Sequence, residues 1–284
     1  MPEGVPSIDR VADQRDGPWP ADRLPTLTGA PEALARTYDL AARQALAGDP
    51  GPRVAALLDP GRTRARLLAA LAGGASDFRA IEAYVVLAGD LDLLTEKAGG
   101  STVLDHLRML ATAAGGTVAA DATRVGRARS LAALLRRLGE VAEAEAVEVA
   151  AAEDARGVLA RYAGGGRWRT ADTPDDSAEA LLSVAGGMPE FLDLLQRGEL
   201  VEFADRHLAA EPPGAVAYAL CRLGRPDRAA ALLADVPRPG AAELEAILAG
   251  LFGIRADFSG WEAGSRRAAL PGLGRLDNLP ATLT

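Results

Sequence analysis

The chain has 284 residues, 49% hydrophobic and 25% charged, enough apolar material for a sizeable core and too much for a disordered tail. With 31 Lys+Arg against 39 Asp+Glu, the formal net charge of −8 repels phosphate-coated partners, so neither nucleic acid nor an anionic membrane surface is an expected partner. The single cysteine, Cys221, excludes an intrachain disulfide, and two histidines beside it cannot supply the usual four ligands of a structural zinc.

No cofactor or metal is expected. Met1 to Asp16 lacks a signal-type apolar stretch, and no apolar run approaches the roughly 20 residues of a membrane span, so the expected location is cytoplasmic. Residues 1–30 carry Pro2, Pro6, Pro18, Pro20 and Pro25 without apolar periodicity and read as an extended arm that Trp19 pins. From Pro31 the pattern becomes helical, and no stretch alternates with a period of two. Helices are expected over 31–48, 62–72, 77–87, 102–114, 127–138, 140–162, 177–185, 189–197, 200–209, 215–223, 227–234 and 241–252. The fold class is therefore all-α, with a helical-hairpin domain over 31–265 and a C-terminal extension over 266–284. Gly89, Gly139 and Gly198 are each followed by an acid, and Gly224 by Arg225-Pro226-Asp227. Glycine admits the left-handed conformation that ends one helix, and the acid favours the positive start of the next, so these are αα-hairpin joints. Their unequal spacing disfavours a regular tetratricopeptide array, which repeats at about 34 residues.

Three segments carry a family resemblance. Gly240 to Glu262 reads GAAELEAILAGLFGIRADFSGWE, Ile81 to Leu94 contains the hairpin joint GDLDLL, and Tyr162 to Asp172 reads YAGGGRWRTAD. In order and rough spacing these resemble the last barrel helix, an earlier hairpin and a site loop of the six-hairpin glycosidase superfamily, the disaccharide phosphorylases and rhamnosidase-like hydrolases. The resemblance implies an α/α hairpin barrel or toroid that binds or acts on a carbohydrate or glycosylated small molecule. If active, it would be a glycoside hydrolase or phosphorylase. The chain departs from the family where the general acid of its phosphorylases stands in a Trp-Asn-Asp motif, since only Asp121 lies near that place. The resemblance is thus to a truncated or degenerate member.

Glycoside cleavage by inversion needs a protonated carboxyl and a second carboxylate about 6.5–9.5 Å away, or phosphate in place of the latter. Asp121, read as part of a small-residue loop, and Asp172 are the candidate catalytic carboxylates, against the alternative that Asp121 caps a helix. Trp168, Arg169, Arg255, Trp261 and Glu262 are the candidate substrate contacts, because an aromatic face beside Arg and carboxylate grips a sugar. Arg124, Arg127, Arg129, Arg136 and Arg137 form the one basic cluster, able to bind phosphate or to balance the acidic helix that carries Glu140 to Glu153. His106 and His207 read as structural histidines, and Cys221 as a small buried hydrophobe. Two other readings stand beside this one. The L-G-R-P-D and L-G-E turns are similar to those of helical-repeat scaffolds that hold a protein or peptide partner. A helical enzyme of specialised metabolism, using Asp residues in no legible motif, is the other.

Overall fold

The computed structural model describes residues 17–113, 115–164, 167–169, 174–175, 178–188, 191, 212–254, 256, 258 and 272–279. The fold is mostly helical, as the punctuation of the sequence implies. After a short turn at Ala21–Arg23 and strand β1 (Thr26–Thr28) come α1 (Glu32–Ala47), α2 (Gly51–Leu58), α3 (Pro60–Ala72) and α4 (Phe78–Ala88). A tight hairpin, β2 (Lys97–Ala98) and β3 (Ser101–Thr102), leads into α5 (Val103–Thr112), α6 (Val118–Arg137) and α7 (Val141–Leu159). Strands β4 (Tyr162–Gly164), β5 (Arg167–Arg169) and β6 (Pro174–Asp175) form a small antiparallel sheet before α8 (Ala178–Gly187). Helices α9 (Pro213–Arg222), α10 (Pro226–Ala234) and α11 (Ala241–Glu245) follow, the last widening into a π-helix at Ala246–Leu251, and β7 (Arg275–Asp277) closes the order. The strands escape a reading by periodicity because two or three residues cannot display a period of two.

Local chemistry sets the boundaries. Asp77 caps α4 by accepting from the Arg79 and Ala80 N–H groups, Thr102 and Asp105 form a capping box on α5, and Thr117 caps α6. Gly89, Gly139 and Gly224 take φ of 67°, 84° and 73°, the left-handed conformation expected of hairpin joints. At the first joint, Asp90 accepts from Tyr84 Oη at 2.7 Å, Arg64 Nε at 3.0 Å and the Leu93 N–H at 3.3 Å, which ties α3, α4 and the following turn together.

Two apolar cores result. The larger joins α1 to α5, the C-terminal half of α6 and α9 to α11, with Ile254, Ala256 and Phe258 of the GIRADF segment buried in it. The smaller gathers Val118, Ala122 and Val125 of α6 with Val158, Trp168, Val184 and Phe191. Helix α6 thus belongs to one core at each end. Helices early and late in the chain lie side by side: α1 packs on α10 and α11, α2 on α11, and β1 pairs antiparallel with β7 in the register Thr26–Asp277, Leu27–Leu276 and Thr28–Arg275. Trp19 is 5% exposed, donates from Nε1 to Gly48 O, and lies 4.0 Å beneath the Arg62 guanidinium.

Candidate functional site

A cavity of about 210 Å3 opens where α2, α4, α6, α8 and α9 face one another. Each helix contributes polar groups at helical spacing. On α6, Thr123, Gly126, Arg127 and Ser130 recur at i, i+3, i+4 and i+7, a polar stripe between the helix's two apolar ends. Helix α2 supplies Arg53, α4 supplies Phe78, Arg79 and Glu82, α8 supplies Ser183 and the Gly186-Gly187 backbone, and α9 supplies Tyr218 and Arg222. With Arg129, five arginines from four helices converge on one small space, against Glu82 as the one carboxylate that lines it among the described residues.

The geometry fixes several of these groups. The Arg53 guanidinium sits 5.0 Å above the Tyr218 ring, and Arg129 Nη1 donates to Gly187 O at 3.2 Å. Glycines at 126 and 187 allow α6 and α8 to approach here, since a Cβ on Gly187 would stand 2.8 Å from Ala122 O and 3.1 Å from Gly126 Cα. Arg127 Nε is buried with no hydrogen-bond partner among the described residues. Burial first, then repulsion from Arg79, pulls the Arg127 guanidinium below the ordinary arginine range, while Asp77 and Glu82 offset part of that. Glu245, behind the N-terminus of α2, accepts from the Arg53 N–H at 3.3 Å; burial raises its carboxyl above the usual range although Arg53 opposes this.

A second cavity, about 340 Å3, lies among α2, α3 and α4, lined largely by aliphatic residues such as Leu67, Leu71 and Ile81. Its charged groups are engaged elsewhere: Arg66 lies over Trp19, and Asp49 and Asp77 accept from the backbone N–H groups of Gly51 and of Arg79 and Ala80.

Of the residues singled out from sequence, the described ones, Asp121, Trp168 and Arg169, line neither cavity. Asp121 is not in a loop but in the first turn of α6, where Thr117 holds the cap; its carboxylate pairs with Arg161 Nη2 at 2.6 Å and Arg124 Nη2 at 3.5 Å. The expected loop dissolves because Thr117 starts the helix nine residues ahead of Arg127. Trp168 is not an open platform: it is 0% exposed, with its ring centroid 5.0 Å from both Tyr162 and Phe191. Arg169, its neighbour on β5, is exposed. Asp172, Arg255, Trp261 and Glu262 lie outside the described residues. The basic cluster divides: Arg124 pairs with Asp154 and Arg136 with Glu148, balancing the acidic helix α7, whereas Arg127 and Arg129 line the cavity. His106 Nε2 meets Ala98 O at 2.9 Å, a satisfied structural role. Cys221 is partly buried against the larger core, and that burial pushes its thiol up to about 12. Among the described residues no group of three or more His, Cys, Asp or Glu side chains is placed to hold a metal ion, and no helix is long and apolar enough to cross a membrane.

Sequence reading missed Arg53, Arg79, Glu82, Tyr218 and Arg222 as site residues, and missed α2 altogether. Pro52 beside Gly51 and Asp59-Pro60 bracket only eight residues, too short a run to display a helical period clearly, although Val54, Leu57 and Leu58 mark an apolar face. No family model, curated protein or solved structure matches the chain.

Proposed function

We propose that the chain binds a small oxyanion, or the anionic end of a compact ligand, in the arginine-lined cavity. The observation that carries this reading is the convergence of Arg53, Arg79, Arg127, Arg129 and Arg222 on a space where, among the described residues, Glu82 is the one lining carboxylate. A planar guanidinium fork matches phosphate or carboxylate geometry, and several of them around one space offer an anion more than one pair of donors. The volume lies below the roughly 300–1,000 Å3 of pockets that enclose drug-sized ligands, so the occupant is compact. A carbohydrate ligand enters this reading in anionic form, as a sugar phosphate or sugar acid. The hairpin-barrel arrangement is supported by the chain of helix contacts that runs from α2 through α4, α5, α6, α8, α9 and α11 back to α2. Cleavage of a glycosidic bond by Asp121 is not supported, because two arginines engage its carboxylate and it is absent from the cavity lining.

The test is thermal denaturation across phosphate, sulfate, citrate and sugar phosphates at matched ionic strength. A specific ligand raises the melting temperature saturably, by an amount equivalent to about 2.7 kcal/mol at 100 times its dissociation constant. A shift equal to that of sodium chloride for every anion, or one that persists when Arg79 and Arg127 are both replaced by Ala, defeats the reading.

A further inference from the structure

Helix α4 carries a cavity on each side. Phe78, Arg79 and Glu82 line the arginine-rich one, whereas Asp77, Ala80 and Ile81 line the second, of about 340 Å3, which α4 shares with α2 and α3. The wall on α3 is built at helical spacing, with Thr63, Leu67, Ala70 and Leu71 at i, i+4, i+7 and i+8. Thr63 departs from this apolar wall. It is 5% exposed, and its Oγ1 is buried with no hydrogen-bond partner among the described residues, although its N–H donates to Asp59 O at 2.9 Å. A buried hydroxyl without a partner is costly, and a threonine inside a helix ordinarily turns its hydroxyl back to the preceding carbonyls. Two χ1 wells are open to a helical threonine, so the hydroxyl can turn to meet a group that offers it a bond. The charged groups at the rim have other engagements, Arg66 over Trp19 and Asp49 and Asp77 at backbone N–H groups. A molecule entering here meets hydrocarbon and one hydroxyl.

We propose that this second cavity binds a compact uncharged molecule with a hydrocarbon body and one hydrogen-bonding group, and that Thr63 Oγ1 is its polar anchor. The volume falls within the roughly 300–1,000 Å3 of pockets that enclose small molecules, and a largely apolar space of this kind admits hydrocarbon in place of water. The site is independent of the anion-binding reading, so that either can fail while the other stands.

The experiment is equilibrium dialysis of the full chain against benzyl alcohol and ethylbenzene, two probes of similar shape in which a hydroxyl replaces a methyl. Both are expected to bind saturably to the wild-type protein. Thr63→Val keeps the shape of the side chain and removes its hydroxyl, so the alcohol is left buried without a partner and should bind at least about fivefold more weakly, while ethylbenzene is unaffected. Ala70 lines the same wall but is exposed, so Ala70→Phe can be accommodated while its ring fills the space, and it should abolish the binding of both probes. No saturable uptake of either probe by the wild-type protein overturns the site, and this arm needs no variant. Uptake that persists in Ala70→Phe overturns it as well, since the probes are then bound elsewhere. A Thr63→Val protein in which the two probes change alike, or not at all, overturns the role of Thr63.

Discussion

Replacing Arg127 by Met should make the protein more stable and the cavity inert. In the folded chain Arg127 is half-buried, its Nε has no partner among the described residues, and Arg79 repels it. Its depressed folded-state pKa means that the charged form costs stability at every pH below that value, neutral pH included, because the unfolded chain keeps the group fully solvated. An unsatisfied buried donor costs about 1–3 kcal/mol. Met retains most of the stem and its packing, so the loss on that side is small, and a net gain of about 1 kcal/mol is expected after the favourable pull of Asp77 and Glu82 is given up. For a chain of this size that is a rise of about 2–3 °C in melting temperature. The assay is parallel thermal unfolding of wild type and Arg127→Met, without added anion and with saturating phosphate. The variant should start higher and fail to respond, so that the curves cross as phosphate is added. A variant that melts below wild type in the absence of anion refutes the reasoning, since it would mean that Arg127 is a satisfied structural group.

Three other perturbations probe the frame around the site. Trp168→Ala empties the centre of the smaller core and should cost about 3–5 kcal/mol in urea unfolding; a surface platform for sugar would leave the transition unmoved. Gly187→Ala drives a methyl to 2.8 Å from Ala122 O at the α6–α8 crossing and should cost about 1–3 kcal/mol, with weaker anion binding because the backbone shift that relieves the clash displaces the carbonyl at 187 to which Arg129 donates. For Asp90, burial pushes the carboxyl up, but hydrogen bonds from Tyr84, Arg64 and the Leu93 N–H outweigh it and hold the group below its ordinary 3.8. A depressed folded pKa gives stability that is present above the unfolded value and lost as the pH falls through the folded one, so acid unfolding monitored by circular dichroism should be less steep in Asp90→Asn below about pH 4.

The helical frame was legible because its signals are local. Gly89, Gly139 and Gly224 end helices through their own backbone freedom, and Asp77 and Thr102 begin them through their own side chains. The site was not, because its members are separated by up to 169 positions, from Arg53 to Arg222, and each alone looks like an ordinary solvated arginine. What could have been noticed is α6. An exposed helix in an acidic protein has no reason to place Thr123, Gly126, Arg127 and Ser130 on one stripe while both flanking stretches are apolar, and that mismatch is the local trace of a polar interior. Trp168 misled in the opposite sense. Flanked by Arg167 and Arg169 it reads as a surface aromatic, yet β5 alternates exposed, buried, exposed, and a short central strand is enough to turn the one apolar residue inward.

The same arrangement explains why two cores are present where one would bury area more economically. A helix that joined a single continuous core along its whole length could not keep Arg127 and Ser130 on its inner face without burying them against hydrocarbon. By placing Val118, Ala122 and Val125 in one core and Leu131, Leu134 and Leu135 in the other, α6 bridges both and leaves its polar stripe over the gap between them. The Gly126–Gly187 contact narrows that gap from the α8 side, and Phe258, by donating its N–H to Glu82, ties the GIRADF segment to α4 at its edge. The cavity is therefore a consequence of how the cores are divided, and changes that merge them, such as replacing Thr123 and Ser130 together by Val, should raise stability while removing the space in which five arginines meet.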